Sequence, residues 1–434
     1  MPQLQRKISL FGLTMIAVGS CIGAGIFVTP GGIAQEIPHA GFFILVWLVG
    51  GLVALTGALT FAELGGLFPK AGGVYVFLRE AYGERIAFLY GWATLLIVNT
   101  GSMAALALAF SHYMSILVPM SHWQQVVLSM LLLAVLTLIN IRGVERSQQL
   151  TSGMTVLKLF CILGIVILAF LFSEPGRGSQ VWSLTEHDLP NIGSALLAGL
   201  VGVLWAFGGW HHASYLAGEA IHPQKTVPRA MFLGAVIVTV TYVLVNLAYL
   251  LLLNPTELAA SNRVAADAIA TVWPAGGKWI AGVISLSVAG TIAIYTMSAP
   301  RIYFAMAQDA VFIPALAKLH PRFRTPANAM LVQAIWAIVL ILVWGTIESL
   351  FTYVTFIDVA FMCLAGISLF IFRKRVPDNA RPYKVWGYPI VPLVFIGITG
   401  AFVINTVFVR PLEAVAGLVV LGLGLLAFQW FKRD

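Results

Sequence analysis

Two stretches of this chain put helix-breaking residues where apolar sequence would otherwise run on. The first is GSCIGAGIF, Gly19–Phe27, with Gly19, Gly23 and Gly25 followed by Pro30. The second is AFGGWHH, Ala206–His212, with Gly208 and Gly209 at its centre. Glycine weakens a helix, and Pro30 is expected to close the first stretch. An unwound turn in hydrocarbon leaves N–H and C=O groups without partners, which is tolerable only where the backbone lines a polar cavity. Two facing breaks make such a cavity. The half-helix that begins near Gly25 turns its positive end toward it and suits a carboxylate. The freed carbonyls suit an ammonium. An α-amino acid carries both groups on one carbon. Gly19 and Gly23 also have the spacing of closely packed membrane helices, and that reading stands beside the first. The matched pair of interruptions, five spans apart, favours a binding site between two halves of a transporter.

Ionisable residues inside apolar sequence are functional candidates. Lys158 lies in TVLKLFCILG, either as a functional group inside the membrane or snorkelling to the interface. His211 and His212 follow the second break, as titrating groups or as hydrogen-bonding lining. Asp358, in VTFIDVAFMC, either borders the substrate pocket or pairs with a nearby hydroxyl or indole. Glu219 and Glu63, near span ends, fit capping or gating better than substrate binding. Trp205 and Trp210 stand beside the second break, unlike the other aromatics, which suit lipid-facing and interfacial positions. The three cysteines, Cys21, Cys161 and Cys363, form no metal-ligand or disulfide pattern. No cofactor or metal is expected. HExxH, nucleophile-elbow and Walker sequences are absent, so neither an enzyme nor an ATP-driven pump is expected. No filter-like repeat or charged ring suggests a channel.

These residues need elements to hold them. Of the 434 residues, 60% are hydrophobic and 10% charged, against roughly 25% charged in soluble domains. The chain is therefore expected to be an all-α integral membrane protein. Apolar runs predict twelve spans, near 10–33, 41–66, 86–117, 124–141, 152–173, 191–216, 229–253, 276–304, 328–345, 349–372, 388–408 and 411–431. With the N-terminus inside, 20 of the 25 Lys and Arg fall on the inner side. Arg177, Arg263, Lys278 and Arg410 fall outside, and Lys158 lies within a span. That asymmetry predicts both termini in the cytoplasm and a place in the cytoplasmic (inner) membrane. It also explains the net charge of +8 without a nucleic-acid partner. Two short helices are expected outside the spans, one at the inner interface within Phe68–Arg85 and one over an outer cavity within Val264–Trp273.

GSCIGAGIF, AFGGW followed by Glu219 and Pro228–Ala230, FPKAGGVYVFLREAYG, APRIYFAMAQDAVFIP (Ala299–Pro314) and RPYKVWGYP (Arg381–Pro389) together resemble the amino acid–polyamine–organocation superfamily. The nearest resemblance is to its L-type amino acid transporter-like branch, bacterial members included, and it covers the whole chain. It implies one transmembrane domain with a five-plus-five inverted repeat: repeat one about 8–173, repeat two about 190–374 and two extra helices about 387–431, with helices 1 and 6 discontinuous. It implies secondary active transport of neutral L-amino acids by alternating access, through sodium-independent exchange or proton-coupled uptake. A cationic amino acid or polyamine transporter of the same fold is the alternative. The carboxylate site would fall on Ser20, Cys21, Ala24 and Gly25, and the amine site on the carbonyls of Cys21, Trp205 and Gly208. Trp205 would close over the substrate. Ala24 stands where many relatives have serine, and His211 where eukaryotic relatives have asparagine. Lys158 would stand where sodium-coupled relatives hold an ion, as a tether or a coupling group, and Glu219 would gate. The loop after span three, VPMSHW, has no cysteine, so no disulfide-linked heavy chain is expected. The protein is expected to be a monomer or weak homo-oligomer in the lipid bilayer.

Overall fold

A computed structural model describes residues 4–37, 39–173, 192–343 and 347–432. Arg177, assigned to an outer loop by sequence, lies outside these residues. Among them, eleven helical spans are long and apolar enough to cross a membrane, and a shorter apolar helix, Ala327–Val343, stands where the ninth span is expected. The order matches the twelve sequence-derived spans. Lys432, at the chain's far end, meets Glu84 at 2.9 Å. Glu84 begins the third span on the face that carries the N-terminus, so both ends lie on that face, here called the N-face.

The first span is α1 (Leu10–Cys21) and α2 (Gly25–Glu36), separated by a short unwound turn. Pro30 does not end it, contrary to expectation. It sits inside α2, and the carbonyl of Ile26, which a proline four residues on cannot bond, lies 3.4 Å from the Tyr249 hydroxyl. Next come α3 (Ala40–Leu67), the short α4 (Val74–Tyr82) and the third span. That span is α5 (Glu84–Ala93), a π-helical turn at Thr94–Val98, and α6 (Asn99–Leu117). Then follow α7 (His122–Ile141), α8 (Val144–Phe172) and the broken sixth span, α9 (Ile192–Phe207) with the single turn α10 (His212–Tyr215). The remainder is α11 (Pro223–Leu252), the short α12 (Pro255–Ala260) and α13 (Val264–Val272), α14 (Gly276–Ser298), α15 (Pro300–Gln308), α16 (Ala327–Val343), α17 (Ile347–Arg375), α18 (Ile390–Val409) and α19 (Pro411–Phe431).

The broken helices α1 and α2 are almost wholly buried, whereas α7, α8, α18 and α19 expose large apolar side chains such as Phe160, Phe170, Leu426 and Trp430. Such a surface is stable only against lipid. The polar turns thus sit at the centre of the bundle.

The N-face is closed by charge. Glu63 at the end of α3 takes a bidentate bond from Arg373, a third contact from Arg381 at 3.3 Å and the Val385 amide at 2.7 Å. One acid thereby ties α3 to α17 and to the RPYKVWGYP loop. The helix expected at the inner interface is α4, but it is tucked in rather than lying flat. Val74–Leu78 are buried, Gly72 N–H donates to Tyr215 O at 3.1 Å, and a Cβ on Gly73 (φ 47°) would strike Ser214. Tyr75 donates to Asp309 at 2.9 Å, and burial pushes its phenol well up, so it stays a donor. On the opposite face α13 forms where a short outer helix is expected, packed on α14, α11, α8 and α2. The short α12, which packs on α2, was not among the expected helices, although Asn254, Pro255 and Glu257 spell a capping-box start that the structure realises.

Candidate functional site

The turn between α1 and α2 occupies Ile22–Ala24. No side chain caps α2, so the amides of Gly25 and Ile26 open the helix without an intrahelical acceptor. Gly25 allows close approach: a Cβ there would lie 3.0 Å from Ala206 and 3.1 Å from the Trp205 ring. Gly19 has a different task. A Cβ on it would come within 2.6 Å of Thr155 and Ile294, so the packing reading is correct for this glycine. The break belongs to Gly23 and Gly25.

The second break runs over Gly208–His211. Gly209 has φ 124°, which disfavours any residue with a side chain, and its Cα faces the Ser20 backbone, where a Cβ would lie 2.8 Å away. The breaks are stitched together. Ser20 Oγ donates to Gly209 O at 2.7 Å, Cys21 Sγ lies 3.3 Å from Phe207 O, and the Tyr242 hydroxyl sits 2.8 Å from Cys21 O and 2.9 Å from Ala206 O. The side chains of Ser20 and Cys21 therefore hold the backbones in place. Two carbonyls assigned to an ammonium are already engaged: Cys21 O by Tyr242 and the Gly23 amide, and Trp205 O by the Gly208 amide at 3.1 Å.

Lys158, 2% exposed, projects from α8 into the first break. Its ammonium lies 2.6 Å from Ile22 O, 3.2 Å from Gly19 O, 3.1 Å from Ser287 O and 3.1 Å from Thr291 Oγ1. Three N–H protons meet four acceptors. This excludes snorkelling. Thr291 Oγ1 also lies 2.8 Å from Gly19 O, and Ser287 Oγ lies 3.3 Å from Ile22 O. The carbonyls that the break frees are thus answered by one cation and two hydroxyls. Ser287 and Thr291 are spaced i, i+4, which sets both on one helix face. That spacing, in the apolar stretch SLSVAGT, was the available signal for them, as the lone Tyr242 in TVTYVLVN was for that residue.

Two cavities meet at Trp205. The smaller, a narrow crevice, lies against Ser20, Cys21, Ala24 and Gly25 on one side and Trp205 and Gly208 on the other. The larger, about 470 Å³, shares Trp205, Gly208 and Tyr295 and extends to Asn99, His211, His212 and Asp358. Asp358 therefore borders this space. The π-helical turn contributes Thr94 and Val98, a placement no periodicity revealed. His212 is the better-held imidazole: Nδ1 lies 2.6 Å from Ser298 Oγ, and the ring stacks on Tyr295 with centroids 4.4 Å apart. His211 is buried between Trp210 and Tyr215.

Glu219 touches neither cavity. It forms a bidentate pair with Arg301, at 2.8 and 2.9 Å, with both side chains shut off from solvent. Arg301, counted from sequence among the inner-side charges, is buried in α15 and also donates to Met297 O. Glu219 O accepts the amides of Lys7 and Ile8, pinning the N-terminal segment across the same spot.

Residues 8–423 match the amino acid permease family, and the chain belongs to it, within the amino acid–polyamine–organocation superfamily. It is 32% identical over 99% of its length to the serine/threonine exchanger SteT of Bacillus subtilis, covering 98% of that protein. It is 31% identical over 90% of its length to the large neutral amino acids transporter small subunit 2 of Homo sapiens, covering 74% of it. It is 30% identical over 98% of its length to the Asc-type amino acid transporter 1 of Homo sapiens, covering 82% of it. The chain is a multi-pass membrane transporter of amino acids, not an enzyme.

Proposed function

We propose that this permease exchanges small neutral L-amino acids with polar side chains, without sodium, across the cytoplasmic membrane. The observation that carries the reading is the pair of cavities joined at Trp205. One offers uncapped amides to a carboxylate; the other offers hydrogen-bonding groups to a side chain. The amides of Gly25 and Ile26 take the carboxylate, with Ser20, Cys21 and Ala24 shaping that wall. The ammonium goes to the carbonyl of Gly208 and its neighbours, and Trp205 closes over the bound molecule. In the larger cavity the Asn99 amide oxygen lacks a partner and suits a hydroxyl donor. His211, His212 and Asp358 line the same space. The likeness to a serine/threonine exchanger supports small hydroxylated substrates.

Lys158 replaces a coupling ion in this scheme, because its ammonium already satisfies the carbonyls a sodium ion would need. Glu219 with Arg301 forms the inner gate. Two inverted repeats, about 8–173 and 190–374, carry the two breaks, and helices at about 387–431 flank them. The N-face is the cytoplasmic side, in line with the charge asymmetry. The protein works as a monomer or weak homo-oligomer without a disulfide-linked heavy chain.

Asp358 favours a second reading, transport of cationic amino acids or polyamines. Counterflow into proteoliposomes separates the two. Vesicles loaded with unlabelled serine, threonine, alanine, leucine, lysine or putrescine are offered labelled serine and, in parallel, labelled lysine or putrescine, in sodium or choline buffer and with or without a pH gradient. Stimulation by the small neutral compounds in both buffers is expected. Stimulation by lysine or putrescine alone would establish the second reading, and no stimulation by any amino acid would overturn both.

A further inference from the structure

A basic basin opens on the N-face, away from the substrate cavities. It encloses about 780 Å³ and is lined by Lys7, Arg142, Arg146, Arg322 and Arg324. Its two acids are already answered: Glu145 by Lys7 at 2.9 Å and Glu219 by Arg301. Among the described residues none of the four arginines makes a salt bridge. Arg142 ends α7, Arg146 lies in the first turn of α8, and Arg322 and Arg324 lie in the loop preceding α16. The N-terminus of α8 opens into the same place, with Gly143 before it and no side-chain cap.

The helix faces identify the occupant. On α7, Leu131, Val135 and Leu138 are exposed apolar side chains, and Arg142 follows Leu138 by four residues. On α8, Arg146 is followed by exposed Leu150, Leu157 and Phe160. Residues spaced by three or four share a helix face. Each of these two arginines thus heads a stripe that meets lipid. A soluble anion would need the charges but not the stripes; a lipid uses both.

We propose that this basin binds the phosphate headgroup of an anionic glycerophospholipid from the adjacent leaflet, with its acyl chains along the α7 and α8 stripes. Basic pockets between membrane helices suit such headgroups, and paired guanidinium forks bind phosphate oxygens bidentately. Lys7 lines the basin while its amide holds Glu219 O, so a headgroup bound there lies beside the N-terminal segment. The binding claim itself is independent of the substrate assignment.

Native mass spectrometry of the full chain in detergent tests it, titrated with phosphatidylglycerol, with phosphatidylcholine and with inorganic phosphate as competitor. Phosphatidylglycerol should bind at least tenfold tighter than phosphatidylcholine and resist equimolar phosphate. The R142Q/R146Q variant should bind phosphatidylglycerol about 30-fold more weakly, at about fivefold per arginine, and R142K/R146K should recover most of the loss. If R142Q/R146Q does not fold, R322Q/R324Q replaces it with the same expectation. Equal binding of the two lipids, undiminished binding in the glutamine variant that folds, or displacement by equimolar phosphate would each overturn the proposal.

Discussion

The Lys158 ammonium lies 2.6 Å from the carbonyl oxygen of Ile22, the residue at which the first span leaves its helix. A charge fixed to α8 therefore bonds the turn between α1 and α2, and the proposed substrate site would depend on a residue that lines neither cavity. Lys158→Ala would leave the carbonyls of Gly19, Ile22 and Ser287 short of a donor. Because the Thr291 and Ser287 hydroxyls stay nearby, each loss falls at the low end, about 1 kcal/mol, and three such losses amount to roughly 150-fold. Exchange of labelled serine in proteoliposomes should fall by about that factor while the protein remains monodisperse. Replacing sodium with choline should leave wild-type exchange unchanged. Full activity in the alanine variant would remove Lys158 from the mechanism.

The glycines of the two breaks predict different losses. Gly209→Ala forces a side chain into φ 124° and against the Ser20 backbone. Holding such a conformation costs about 1–3 kcal/mol, so thermal unfolding should shift down along with exchange. Gly25→Val has ordinary helical geometry but would press on Ala206 and Trp205, filling the smaller cavity. It should abolish exchange at near-native thermal stability, and normal exchange by a folded Gly25→Val protein would refute the carboxylate site.

The positions of these breaks were legible before the fold was known because two interruptions recur five spans apart; glycine pairs alone do not mark a break, since Gly50 and Gly51 pack inside the unbroken α3. Span count and orientation were legible because hydrocarbon demands length and charge marks the ends. Partners were not legible. Arg301 and Arg381 look like topology signals in sequence, yet one is paired with Glu219 and the other with Glu63, across 82 and 318 residues. Tyr242 reaches both breaks from a seventh span whose composition is that of any lipid-facing helix. Long-range pairing leaves no periodicity to read. Pro30 misled for the same reason, since the carbonyl it strands meets Tyr249, from far along the chain.

The buried pair of Glu219 and Arg301 should behave as one unit. Removing one partner of such a pair strands the other charge and costs roughly 3–5 kcal/mol, whereas replacing both can be near neutral. Glu219→Gln and Arg301→Met should each lower the unfolding temperature substantially, and the double variant less than their sum. As a gate, the pair should also matter for transport, so the double variant should fold yet leak preloaded substrate faster than wild type. Additive losses in the unfolding cycle would show that the two do not act together.

Asp358 offers the sharpest test of selectivity, since it lines the larger cavity. Asp358→Asn keeps the shape and some hydrogen bonding but removes the charge. If the cavity reads polar neutral side chains, the substitution should change the relative KM for serine and threonine against leucine by about five- to tenfold, the worth of about 1–1.5 kcal/mol for one hydrogen bond. Carboxylate and ammonium recognition should be untouched, so alanine exchange should change little. If the carboxylate instead pairs with a cationic substrate, Asp358→Asn should abolish lysine or putrescine counterflow outright, because a stranded charge in a low-dielectric site is far costlier than a lost neutral bond. Measuring KM for serine, alanine, leucine and lysine side by side in the one variant distinguishes these outcomes. A uniform change across all four would mean that Asp358 supports the fold and reads no side chain.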